Sequence, residues 1–81
     1  QNYPNPFNPE TSITFSIPKK EHVQIKIYNI TGQEVMILTN KVYERGDFRI
    51  TMNGENLSSG VYFYSIVTST FRDTKRMMLI K

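Results

Sequence analysis

The sequence predicts an all-β domain, an antiparallel sandwich of about seven strands in two sheets. Three observations predict it. Most of the chain alternates apolar and polar residues with a period of two, and no segment sustains a helical stripe. The front, Tyr3-Pro4-Asn5-Pro6-Phe7-Asn8-Pro9, cannot be helix or central strand, because its prolines remove backbone donors and push the residues before them into extended conformations. Near the end, Ser59-Gly60-Val61-Tyr62-Phe63-Tyr64 reads as a tight turn feeding a strand that is apolar on both faces, as a strand covered on both sides reads.

Taken in order, residues 1–10 form a proline-rich segment lying along a sheet edge. Tyr3 and Phe7 interleave with its prolines, which a pure spacer would not need, so the segment is expected to dock on the sandwich body of residues 11–81. The two parts make one domain, 1–81. Thr11 to Ile17 alternates cleanly, with Ile13, Phe15 and Ile17 on one side. Pro18 ends that strand and Lys19-Lys20-Glu21 turns the chain. Val23 to Tyr28 repeats the pattern, with Val23, Ile25 and Ile27 inward, and Asn29-Ile30-Thr31-Gly32 is a turn in which Gly32 is free to take a positive φ.

Gln33 to Thr39 is the next strand, ambiguous in face because Val35, Met36, Ile37 and Leu38 are all apolar. Asn40 to Gly46 is polar apart from Val42 and Tyr43 and reads as a connection. Asp47 to Asn53 follows, with Phe48, Ile50 and Met52 on one face. The loop Gly54 to Gly60 carries Leu57 as its plug into the core. Val61 to Thr68 then carries Val61, Phe63 and Val67 on one face and Tyr62, Tyr64 and Ile66 on the other. A turn at Ser69-Thr70 sends the chain back antiparallel through Phe71 to Ile80. The expected core is Ile13, Phe15, Ile25, Ile27, Val35, Ile37, Phe48, Ile50, Leu57, Val61, Phe63, Val67 and Leu79.

Composition limits the function. At 81 residues, folding buries only roughly 60–65% of the surface an unfolded chain exposes, so stability is modest. There is no cysteine, hence neither disulfide nor thiolate metal site. No run approaches the roughly 20 apolar residues of a membrane-spanning helix, and no signal peptide stands at the front; an exported parent would carry that signal upstream. The net charge of +3 is mild. Much of the basic excess lies at Lys19-Lys20 and in Arg72-Asp73-Thr74-Lys75-Arg76, which read as solvated or edge-protecting charges, and nucleic acid is not an expected partner.

Sites for chemistry are sparse. His22, the one histidine, has no evident orienting partner or pocket for acid-base work. Ser58 and Ser59 lack nucleophile-elbow context and read as turn residues. The seven carboxylates are scattered one per segment, with no calcium-loop pattern. No catalytic residue, cofactor or metal is therefore expected. Asn29-Ile30-Thr31 and Asn56-Leu57-Ser58 match the glycosylation pattern but also serve as turn chemistry. Five tyrosines and five phenylalanines could build a sugar-stacking platform, and Tyr28, Tyr62 and Tyr64, facing away from the expected core, are its candidate row. The plainer reading is that they cover the sandwich's second face.

Four blocks, in order along essentially the whole chain, carry a resemblance. These are the front YPNPFNP, the middle Val23 to Val35, Leu57-Ser58-Ser59-Gly60-Val61-Tyr62-Phe63-Tyr64, and the closing basic-apolar strand ending in Lys81. The sequence resembles the type A C-terminal sorting domain of the type IX (Por) secretion system of the Bacteroidetes and related bacteria. It departs from that pattern at Met52, where related domains often carry tryptophan before the asparagine-glycine pair.

The resemblance implies a non-enzymatic secretion and cell-surface sorting signal at the carboxyl end of a larger exported protein. It further implies recognition by outer-membrane translocon components and removal by a surface sortase that cuts upstream and attaches the cargo to lipopolysaccharide. The family's motif falls on Asn5, Pro6, Phe7 and Asn8, on Gly32, on Ser59, Gly60, Val61 and Tyr62, and on the segment from Lys75 to Lys81. Two other functions fit a sandwich: a carbohydrate-binding module and an immunoglobulin-like structural spacer, since fold alone decides neither.

Overall fold

A computed structural model describes residues 10–80 of the chain. They form six strands: β1 Glu10–Ile17, β2 Glu21–Tyr28, β3 Glu34–Tyr43, β4 Gly46–Asn53, β5 Gly60–Thr68 and β6 Arg72–Leu79. All pairings are antiparallel, in a two-stranded sheet β1-β4 and a four-stranded sheet of order β3-β2-β5-β6. The expected edge strand at the proline-rich front lies outside the described residues.

The strands with clean alternation behave as their patterns require. Ile13, Phe15 and Ile17 of β1 and Val23, Ile25 and Ile27 of β2 are all buried. Around them stand two clusters. One joins Ile13, Ile27, Met52, Tyr62 and Leu79, and the other Phe15, Ile17, Val23, Ile25 and Ile66. Leu38 and Tyr64, partly buried, pack against both, and Leu57 plugs the first from its loop as expected.

Three expectations are corrected. First, Asn40 to Tyr43 is not connection: β3 continues to Tyr43, paired from Gln24↔Asn40 to Glu21↔Tyr43. An edge strand tolerates the polar Asn40 and Lys41, because both stay exposed to water. Second, Val35 and Ile37 are not core but 36% and 50% exposed, while Met36 and Leu38 pack inward. Two register shifts between β2 and β3, each leaving one β3 residue unopposed, set that phase; Ile27 lies opposite Met36 and Lys26 opposite Ile37. Third, Val61, Phe63 and Val67 face outward and are only partly buried. Residues directly opposite share a face, and β5 pairs Ile27 with Tyr64 and Ile25 with Ile66, so the buried side of β2 draws the even-numbered side of β5 inward.

Glu21, expected in a turn, is instead the buried first residue of β2. Its carboxylate accepts hydrogen bonds from Ser69 Oγ at 2.8 Å and Thr70 Oγ1 at 3.0 Å, tying β2 to the β5–β6 turn. Burial acts to raise its pKa, but the hydroxyls of Ser69, Thr70 and Thr68, with the charge of Lys19, together outweigh it and hold the carboxyl below its ordinary value. A carboxyl depressed in the folded state contributes stability above its unfolded pKa and loses it as pH falls through the folded one. Glu21→Gln should therefore melt below wild type at pH 7, and the gap should close as pH drops below the ordinary glutamate value of about 4.3. Thermal melts of both proteins across that range test this; a gap independent of pH would contradict it.

Candidate functional site

The sequence motifs are far apart along the chain, and the topology brings them together. Tyr28 lies opposite Phe63, which places the β2–β3 turn beside the start of β5. Gly60 lies opposite Leu79, which places the end of β6 there too. Gly54, at the exit of β4, approaches the Leu79 side chain so closely that a Cβ would stand 2.8 Å from its methyl groups. Because Glu10 pairs with Asn53, β1 also begins at this end. Gly32, Ser59 to Tyr62, the last residues of β6 and the first of β1 thus share one end of the sandwich. Asn5, Pro6, Phe7, Asn8 and Lys81 lie outside the described residues, and Lys75, opposite Tyr64, sits lower on β6.

Asn29 organises the turn that carries Gly32. Its side-chain oxygen accepts from Thr31 N at 3.1 Å, Thr31 Oγ1 at 2.8 Å and Gln33 N at 2.9 Å, and its amide donates to Gln33 Oε1 at 3.0 Å. Its carbonyl takes the Gly32 amide at 3.0 Å. Side-chain bonds of this kind mimic backbone turns, so Asn29 here works as turn chemistry. Gly32 itself is exposed, with φ +86°.

The second motif is a corner built on Tyr62. The ring is 7% exposed, and its hydroxyl donates to the Ser58 carbonyl four residues upstream at 2.7 Å. A tyrosine at the start of a strand, bonded back to the backbone just before it, is the device by which immunoglobulin-type sandwiches fix such corners. Gly60, between the two, has φ +152°, which L side chains rarely adopt, and the space where its Cβ would stand is open. Its requirement is conformational. The close approach belongs to Gly54, whose place in a loop gives no local sign of it.

The tyrosine row does not form. Tyr62 and Tyr64 line the interior, and only Tyr28 faces outward. Phe63 takes the position beside Tyr28 on the outer face. His22 is exposed on that face, opposite Val42. Among the described residues no group of three or more histidine, cysteine, aspartate or glutamate side chains could hold a metal ion, and no helix is long and apolar enough to cross a membrane.

The outer face of the four-stranded sheet mixes apolar and charged groups. Lys26 pairs with Glu34 at 3.0 Å across β2 and β3, and this hydrogen-bonded carboxylate holds the Lys26 ammonium above its ordinary pKa. A depression of about 320 Å³ beside it is lined by residues that include Lys26, Tyr28, Ser65, Val67 and Arg72.

A family model described as a secretion system C-terminal sorting domain matches residues 1–81. Neither the curated proteins nor the solved structures contain a match to this chain.

Proposed function

The chain belongs to the family of secretion system C-terminal sorting domains, and from that premise we propose that its folded end is an address read as a shape by the outer-membrane machinery. The family serves type IX secretion, exporting the proteins that bear it across the outer membrane to the cell surface or beyond. The domain itself carries no catalytic role in this reading. Translocon components recognise the fold, and a surface sortase then cuts upstream and releases the cargo.

The observation that carries the proposal is the convergence of the motif residues. Gly32, Gly60 and Tyr62 are remote in sequence yet share one end of the sandwich. The side chains of Asn29 and Tyr62, with the positive φ of Gly32 and Gly60, build two turns there. A receptor that reads this end reads backbone shape, so an unfolded variant is also an unreadable one.

Fusing residues 1–81, with native sequence upstream, to the end of a passive reporter tests this in a bacterium that owns the type IX machinery. With an ordinary amino-terminal export signal, the reporter should reach the cell surface, assayed by protease accessibility on intact cells. Cleavage should appear as a smaller surface form. A folded fusion that remains periplasmic sinks the sorting role, and surface delivery at full length removes the sortase step alone.

A further inference from the structure

The two edges of the four-stranded sheet are not alike. At β3 the edge of the four-stranded sheet is interrupted by two register shifts. At β6 it is regular: eight successive pairs run from Gly60↔Leu79 to Val67↔Arg72 without a shift. Among the described residues β6 is paired on one side only, and its residues from Arg72 to Arg76 are all exposed. A long edge in unbroken register is a template for another strand unless something blunts it.

Charge decides which strand fits. β6 contains Arg72, Lys75 and Arg76 against one acid, Asp73, which lies 4.0 Å from Lys75. Arg72 and Arg76 project from the outer face, opposite Val67 and Phe63, and neither has an ion-pair partner among the described residues. By contrast β1 contains no basic residue, and β4 balances Arg49 with Asp47. A second copy of β6 laid antiparallel about Thr74 would set Arg72 against Arg76 on the outer face, which is unfavourable for groups directly opposed across strands, and Asp73 against Lys75 on the other face, so self-pairing wins no net charge complementarity. An extended strand with carboxylates at alternate positions would set them on the Arg72–Arg76 face, beside the depression that Lys26 and Arg72 line.

We propose that the β6 edge is a strand-addition site for an extended acidic segment of the secretion machinery, held by main-chain hydrogen bonds and selected by Arg72 and Arg76. The inference rests on the sorting role for its biological partner, while the edge chemistry can be tested without it. The bases on β6 then serve two ends, discouraging self-association and favouring a partner of opposite sign.

Two labelled peptides separate the outcomes, one with glutamate alternating with valine and threonine, the other with glutamine at the same positions. Fluorescence anisotropy with the 81-residue chain should give at least about tenfold tighter binding of the acidic peptide, weakened by salt. Amide hydrogen exchange should slow in β6. Arg72→Glu with Arg76→Glu, confirmed folded by its melt, should abolish that binding and prefer a lysine-bearing peptide; Arg72→Gln with Arg76→Gln should lose the preference without inverting it. Equal binding of both peptides overturns the proposal. So does protection of β1, β3 or β4 instead, or a β6 edge already protected in the free chain by a second copy or by residues 1–9. In the export assay, a charge-reversed fusion that is folded and exported like wild type overturns the proposal and leaves the sorting role standing. A wild-type fusion that is not exported overturns the sorting role, and the peptide arm still decides the edge.

Discussion

Tyr62→Ala should destabilise this domain severely, while Phe63→Ala, one residue further along the same strand, should leave it folded. Tyr62 is 7% exposed within the cluster that contains Ile27, Met52 and Leu79, and deleting a buried aromatic ring costs about 3–5 kcal/mol. An 81-residue chain has a total stability of roughly 4–12 kcal/mol, so the loss takes at least about a quarter of it and, at the lower end of that range, all of it. Tyr62→Phe keeps the ring and removes only the bond to the Ser58 carbonyl. It should cost about 1 kcal/mol, a fall of roughly 4–8 °C in melting temperature. Phe63 lies on the outer face and is only partly buried, so Phe63→Ala should cost no more than about 1–2 kcal/mol. Chemical denaturation of the three variants ranks them; Phe63→Ala falling as far as Tyr62→Ala would reverse the assigned face of β5.

Phe15→Ala should detach the two-stranded sheet from the four-stranded one. Among the described residues no main-chain ladder joins the sheets, so side-chain packing and the connecting turns hold β1 and β4 in place, and an isolated pair of strands is marginal in water. Phe15 is the centre of that junction. Its ring meets Tyr43 of β3 edge-on at 5.3 Å and stacks on Phe48 of β4 at 5.6 Å, while Tyr43 and Phe48 meet at 4.9 Å. Removing it costs about 3–5 kcal/mol, the lost ring contacts included. Amide exchange should accelerate in β1 and β4 before β2 and β5. Uniform acceleration would show instead that the sheets unfold as one unit.

The physical reason that β1 and β2 were legible from sequence is that their two faces differ in polarity. Ile13, Phe15 and Ile17 alternate with serine and threonine, and Val23, Ile25 and Ile27 with histidine, glutamine and lysine, so the period of two carries its phase with it. In β3 and β5 it does not. Val35-Met36-Ile37-Leu38 and Val61-Tyr62-Phe63-Tyr64 offer apolar groups to both sides, and either phase would bury a comparable area. The place of Glu21 is not legible locally for a related reason: its acceptor role depends on Ser69 and Thr70, 48 and 49 residues away.

By itself the sequence determined the all-β class, the places of six strands along the chain, the glycine and asparagine turns, the inward faces of β1 and β2, and the family to which the chain belongs. These are properties of short stretches, set by steric limits on φ, by side-chain alternation and by motif. Only the tertiary structure decided that Tyr62 is core and Phe63 surface, that Gly54 must be small beneath Leu79, and that Gly32 and Gly60 meet at one end. Each of these follows from the register against β2 and β6, and register is a long-range choice. It is made by hydrogen-bond ladders between segments tens of residues apart, which no local pattern contains.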